Sequence, residues 1–178
     1  PAQQRLFVCA SSVVNGYAGG GNPTVVPPGT GELYNGGGGV MFTRLARTGI
    51  IAAVDVTTNR LAWRYRWPDQ CYSGTMATAG GLLFVGRADG RLTALDSSSG
   101  KQLWEFQTCA GMHAPVSTFE HKGKQYVIAY SAGSALLGSA RGDSVWLFGV
   151  DGTLPPAAAG TGVPRSTAAP APRSEGAS

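Results

Sequence analysis

Two segments of this chain repeat one another at a separation of 41 residues, and that repeat constrains the fold more than any other feature. Residues 53–63 read Ala-Val-Asp-Val-Thr-Thr-Asn-Arg-Leu-Ala-Trp, and residues 94–104 read Ala-Leu-Asp-Ser-Ser-Ser-Gly-Lys-Gln-Leu-Trp. Ala53 matches Ala94, Asp55 matches Asp96, Asn59 matches Gly100 and Trp63 matches Trp104. A period near 40 residues lies in the range of four-stranded propeller blades. Each copy reads as a hairpin. A strand ends at the Ala-x-Asp, and the aspartate accepts backbone N–H bonds in the turn. Asn59 or Gly100 supplies the residue that tolerates φ > 0. The next strand carries a tryptophan that packs against the neighbouring blade.

Strand-like runs recur at 5–10, 50–56, 61–67, 82–87, 91–96, 102–107, 116–120, 125–130 and 144–150. Gly80-Gly81, Asp89-Gly90, Lys122-Gly123 and Gly142-Asp143 punctuate them. No segment shows helical periodicity, so the reading is all-β. Composition agrees: 27 Gly and 11 Pro stand among 178 residues, with only 13% charged, which excludes a coiled coil or long helical bundle. No apolar run approaches the roughly 18 residues of a membrane helix. The net charge is +4, but the basic residues are scattered, with only Lys122 and Lys124 close together, so no nucleic-acid footprint is present. Two regions leave the pattern. Residues 17–39 are rich in Gly, Pro and Asn and read as a long irregular loop inside a blade region covering 1–150. Residues 151–178 form a Pro/Ala-rich tail expected to be disordered.

The ordered string of motifs resembles the C-terminal blades of the quinoprotein dehydrogenases, which use pyrroloquinoline quinone (PQQ). The segment Ala94-x-Asp96-x-x-x-Gly100-x-x-x-Trp104 is similar to their tryptophan-docking motif. Residues 75–108, 114–130 and 142–150 resemble those blades almost throughout. The resemblance implies a superbarrel of eight four-stranded blades. At about 40 residues per blade, this chain supplies about three. The expectation is therefore the C-terminal portion of a longer enzyme. The chain starts at Pro1 and has no signal peptide, consistent with processing or with a piece of a longer protein.

The resemblance further implies a quinone on the propeller axis beside a calcium or lanthanide ion. The metal ligands and the catalytic aspartate would come from other blades, so no catalytic or metal-binding residue is assigned here. Asp55 and Asp96 belong to the docking turns. Relatives hold a Trp or Asn near the quinone edge followed by Gly-Gly; here Tyr72 and Ser73 occupy those places with Gly74 retained, and these three are the candidate cofactor-binding residues. A tyrosine hydroxyl can bond a quinone carboxylate; the alternative is that Tyr72 only packs at the blade end. His113, in Gly111-Met112-His113-Ala114-Pro115, either lines the substrate funnel or sits in a solvated loop. His121 falls in a hairpin turn.

Cys71 and Cys109 stand nearly one repeat apart at corresponding strand ends, either as a disulfide or as two packed thiols. Cys9 is expected buried in a strand. Trp63 and Trp104 are both expected to be buried as docking residues, and Trp146 to sit in the last strand. The implied function is oxidation of a small alcohol to an aldehyde or ketone. The implied compartment is the periplasm, with a cytochrome c or a quinone as electron acceptor and the remaining blades as partners. The fragment alone would be inactive. The alternative is a non-enzymatic propeller scaffold built from the same repeats, of the outer-membrane assembly lipoprotein type.

Overall fold

The computed structural model describes residues 4–18, 39–42 and 47–158. Among them run twelve strands and no helix. They are β1 (Arg5–Ser12), β2 (Asn15–Ala18), β3 (Gly39–Phe42), β4 (Thr48–Asp55), β5 (Arg60–Trp67) and β6 (Thr75–Ala77). There follow β7 (Leu82–Gly86), β8 (Arg91–Asp96), β9 (Gln102–Gln107), β10 (Ser117–His121), β11 (Lys124–Ser131) and β12 (Ser144–Gly149). The chain divides into two compact units, one of Pro1–Ser12 with Thr48–Ser178, the other Val13–Arg47. In the smaller unit β2 and β3 pair antiparallel, Asn15 opposite Phe42 and Ala18 opposite Gly39. The ends of the expected loop 17–39 are thus strands, and residues 19–38 lie outside the described residues.

The larger unit holds three antiparallel sheets, in the orders β1-β4-β5, β6-β7-β8-β9 and β10-β11-β12. The 41-residue repeat superposes β4 on β8 and β5 on β9. It extends to a β-bulge, which falls between Ala53 and Val54 in one copy and between Ala94 and Leu95 in the other. In that register the first sheet has its last three strands, the second all four, and the third its first three. Three blades are therefore represented, and the middle one is complete.

Each docking turn is built by its aspartate. Asp55 Oδ1 accepts from the Thr57 and Thr58 amides and the Thr57 hydroxyl. Asp96 Oδ1 accepts from the amides and hydroxyls of Ser98 and Ser99. These donors, the hydroxyls of Thr57 and Ser98 foremost, stabilise the anions and hold both carboxyls at about 2. Asn59 and Gly100 take positive φ, 57° and 73°.

The first blade docks on the second blade's turn. Trp63 Nε1–H donates to the Ser97 carbonyl at 3.1 Å, and the Tyr65 hydroxyl to the Ser99 carbonyl at 3.0 Å. Arg5 Nη1 donates to the Ser97 and Ser98 carbonyls at 3.0 and 2.6 Å. The rings lie so close that a Cβ on Gly100 would stand 2.4 Å from Tyr65 and 2.7 Å from Trp63. Around this dock, Ile51, Trp67, Leu83, Val85 and Leu95 form the core between the first two blades. A second core, with Leu92, Met112, Val116 and Val127, joins the second and third blades.

The repeat does not carry equal burial to its second tryptophan. Trp63 is 8% exposed, whereas Trp104 is 41% exposed. The turn that would cover Trp104 follows β12, where Gly149 and Asp151 correspond to Ala94 and Asp96. No strand follows β12 among the described residues, so no closed turn lies over the indole. Trp104 stacks on Phe106 and meets Phe148 edge-on at 5.7 Å. It borders an apolar cleft of about 280 Å³ shared with Leu82, Phe84, Val127 and Phe148. Residues 151–158 form no strand, but the Ala157 amide donates to the Gln107 carbonyl at 2.9 Å. Residues 159–178, the rest of the expected disordered tail, lie outside the described residues.

Neither reading of Cys71 and Cys109, a mutual disulfide or two packed thiols, holds. Cys9 and Cys71 form the disulfide, with Cα atoms 5.3 Å apart, and Cys109 is free. Equivalent places in successive blades keep Cys71 and Cys109 one blade apart. The segment after β5, by contrast, passes beside β1, where the Ser11 hydroxyl donates to the Cys71 carbonyl at 3.0 Å.

Two outcomes follow. Trp63→Ala should lower the free energy of unfolding by about 3–5 kcal/mol, and Trp104→Ala by well under half as much, as read from urea midpoints. Equal losses would contradict the asymmetric dock. Thiol titration of the unreduced, denatured chain should find one reactive cysteine, Cys109. Reducing the Cys9–Cys71 bridge should destabilise the fold by about 2–5 kcal/mol.

Candidate functional site

The docking turns occupy one end of the blades, and the inter-blade connections occupy the other. The registers establish this: Trp67 pairs with Gly49, Gly86 with Leu92, Gln107 with Arg91, and Ser131 with Ser144, all away from the docking turns. Four segments therefore gather at the second end. They are 68–74 between the first two blades, the 87–90 hairpin, 108–116 between the second and third blades, and 132–143 between β11 and β12.

Tyr72, Ser73 and Gly74 sit in the first of these. Ser73 is buried, and its hydroxyl is fully engaged: it accepts from the Gly86 amide at 3.2 Å, and its hydrogen lies between two acceptors, the Gly74 carbonyl at 2.9 Å and the Ala114 carbonyl at 3.1 Å. That hydroxyl ties two inter-blade segments and the end of β7 together. Gly74 is a glycine for close packing, since a Cβ there would fall 2.8 Å from the Pro115 ring. Tyr72 differs from both. Its side chain is 56% exposed, and its ring stands edge-on to that of His113 at 6.4 Å. Among the three sequence candidates, Tyr72 alone presents a side chain outward, while Ser73 and Gly74 hold the backbone that carries it.

His113 is half-buried and in contact with this group. Its Nε2 lies 2.7 Å from Ser139 Oγ. Ser139 belongs to a tightly bonded loop that sequence reading passed over. In that loop Ser139 Oγ accepts from the Ser134 amide at 2.8 Å, Gly138 N–H donates to the Ala135 carbonyl and Gly133 takes a φ of 69°. Gly111 links the segments, donating to the Ala140 carbonyl and accepting from the Gly133 amide. The paired Gly and Ser residues of 133–139 were the available signal for this loop. The solvated-loop alternative for His113 is thus replaced by a packed position. His121 lies exposed on β10 beside its hairpin turn.

Beneath these segments runs a chain of buried charges. Arg87 Nε donates to Asp69 Oδ2 at 3.3 Å and its Nη2 to Asp69 Oδ1, while Asp89 Oδ2 stands 3.8 Å away. The guanidinium lies over the Trp67 ring at 4.6 Å. Arg91 Nε donates to Asp89 at 2.7 Å, and Arg91 Nη1 reaches Glu105 at 3.2 Å. The run Gly86-Arg87-Ala88-Asp89-Gly90-Arg91 carries these alternating charges openly, and its partner Asp69 comes from the preceding blade. Truncation of Arg87 would strand the buried Asp69 carboxylate, while Asp89 would keep Arg91.

This end also concentrates unsatisfied polar atoms. Among the described residues, six buried side-chain atoms lack a hydrogen-bond partner, and four of them lie here: Gln70 Oε1, Arg87 Nη1, Gln107 Oε1 and His113 Nδ1. Buried polar groups are rarely left unpaired, and these four atoms fall at one end of the blades. No three His, Cys, Asp or Glu side chains come together as a metal ligand set among the described residues.

Burial keeps the His113 imidazole below its usual 6.5. Below pH 6.5 the unfolded chain binds a proton that the folded chain resists, so stability should fall as pH drops through that value. Asp55 and Asp96, held at about 2, do not titrate there. Urea midpoints at about pH 7.5 and about pH 5.5 should differ less in His113→Asn than in the parent. An unchanged difference would contradict the buried neutral histidine.

A family model described as the β-propeller domain of glucose, ethanol and alcohol dehydrogenases matches residues 69–127. The match includes the whole central blade and the Tyr72 and His113 segments. A quinoprotein alcohol dehydrogenase of Pseudomonas putida is 36% identical over 112 residues, 56% of this chain and 18% of that protein. A lanthanide-dependent methanol dehydrogenase of Methylorubrum extorquens is 41% identical over 95 residues, 47% of this chain and 16% of that protein. The crystal structure of a quinohemoprotein alcohol dehydrogenase from Comamonas testosteroni superposes with a TM-score of 0.70 and 25% identity, covering 90% of this chain and 26% of that one. The chain thus spans less than a fifth of the length of those two sequence relatives. Repeat, blade topology and these matches agree: the chain is similar to part of the β-propeller of the PQQ-dependent alcohol dehydrogenases.

Proposed function

We propose that this chain is the C-terminal sector of a PQQ-dependent dehydrogenase that oxidises small alcohols to aldehydes or ketones, and that the connection end forms part of its quinone pocket wall. The observation that carries this reading is the concentration of unpaired buried polar atoms at that end, beside an outward-facing tyrosine. The relatives' activities, read from their names, give the reaction class.

The residues present fit a polyanionic, oxygen-rich ligand in part. Tyr72 offers a free-standing hydroxyl at the rim, and His113 offers a ring nitrogen. Ser73 and Gly74 hold the rim's backbone in place, Ser73 through its bonds to Gly86 and Ala114. PQQ, when bound, would supply the hydride acceptor for the alcohol carbon. Rigid inter-blade bonds would keep the wall fixed and water out of it. The calcium or lanthanide ion, its ligands and the catalytic base are assigned to other blades. Periplasmic location, the Cys9–Cys71 disulfide and electron transfer to a cytochrome c or a quinone fit together in this reading.

The scaffold alternative has the docking repeat in its favour but gives no role to Tyr72 and the unpaired atoms beside it. Two measurements separate the readings. The coding sequence upstream of Pro1 should contain acidic metal ligands and a catalytic aspartate; further docking repeats without such carboxylates would refute the enzyme. The isolated chain mixed with PQQ, calcium and an alcohol should give no dye-linked oxidation. Turnover would mean that the active site has been misplaced.

A further inference from the structure

The Ser139–His113 contact decides which nitrogen of the imidazole carries the proton. Ser139 Oγ already accepts from the Ser134 amide at 2.8 Å. Its own hydrogen has two possible acceptors, the Ser134 carbonyl at 3.4 Å and His113 Nε2 at 2.7 Å. Donation to Nε2 uses the nearer acceptor; the reverse, Nε2–H donating to an Oγ that already accepts from Ser134, leaves the hydroxyl hydrogen only the 3.4 Å carbonyl. A neutral imidazole carries its hydrogen on the other nitrogen. With the hydroxyl donating to Nε2, Nδ1 is an N–H donor, and it is buried with no partner. An unpaired buried donor is costly, yet a dedicated loop, 134–139, holds the ring in this state.

We infer that His113 is a ligand-positioning residue whose Nδ1–H donates to an sp2 oxygen, carboxylate or carbonyl, of a molecule bound at the rim that Tyr72 borders. This rests on the pocket reading above and adds a specific contact to it. The Tyr72 ring, exposed and edge-on to the imidazole, is the side chain that can move aside to admit the ligand. A neutral donor suits either a carboxylate of the quinone or the carbonyl oxygen of a ketone product. It does not need a charged partner.

The chain has two histidines, so the ring nitrogens can be followed by 15N–1H correlation, with His121 as the internal control. The free chain should show His113 protonated on Nδ1. Ser139→Ala should relax that preference toward a tautomer mixture, whereas Ser139→Thr should retain it. Titration with PQQ, and separately with 2-butanone, identifies the source of the oxygen. The effective ligand should shift the His113 Nδ1 and Tyr72 ring signals together and leave His121 unmoved. In His113→Phe, affinity for that ligand should fall about three- to tenfold, the value of one neutral hydrogen bond. Protonation on Nε2 in the parent chain would overturn the inference. So would Tyr72 signals that move while Nδ1 does not, an outcome that leaves the pocket reading standing. No response of either residue to either ligand would overturn the inference, while the pocket reading, whose other walls belong to other blades, would stand or fall on the upstream sequence.

Discussion

The indole of Trp63 seated on the turn 97–100 is the interaction on which the rest of the structure depends. A blade of three or four strands buries one face poorly on its own, and stacking supplies the missing surface. The dock couples three demands in one place. Asp96 must fold its turn so that the Ser97 carbonyl faces outward. Gly100 must leave room for two rings. Trp63 and Tyr65 must each spend their polar atom on that turn. Once these are met, the first-blade strands β4 and β5 lie against β7 and β8, and the core between them closes.

The dock also sets the geometry of the opposite end. Strands of fixed length carry the register from the docking turn to the connections, so the 68–74 and 108–116 segments arrive side by side. There Ser73 bonds across to Gly86 and Ala114, and the Cys9–Cys71 bridge anchors the incoming segment to β1. One end is thus consumed by assembly. The other is left with rigid backbone, buried charge and unpaired polar atoms, which is the division expected where binding groups are presented by a firm scaffold.

Much of this was legible in the sequence. The repeat located both docking turns, their aspartates and the two positive-φ residues, because these features are local and recur. Most strands were legible from short apolar runs between glycine-bearing turns. What escaped was set by neighbours across blades. Short β6 and the β2–β3 pair have too few residues to show periodicity. The Cys9 partner of Cys71 lies on a strand 62 residues away, and the spacing of Cys71 and Cys109 left their pairing open without pointing to Cys9. Trp104 repeats Trp63 in sequence but not in burial, since its environment depends on a closed turn after β12. Within the candidate site, Tyr72 was named from the resemblance, and its exposure came from the fold. The bonded state of the Ser73 hydroxyl and the Ser139 partner of His113 needed the fold, as those contacts cross 41 and 26 residues.

Hydrogen exchange of the indole N–H groups tests the docking account most directly. The Trp63 Nε1–H, buried and bonded to the Ser97 carbonyl, should exchange only through opening of the blade interface. The Trp104 Nε1–H should exchange orders of magnitude faster, near the rate of an open indole. Comparable rates for the two, or faster exchange at Trp63, would contradict the claim that one tryptophan of the repeat holds the blades together while the other waits for a turn.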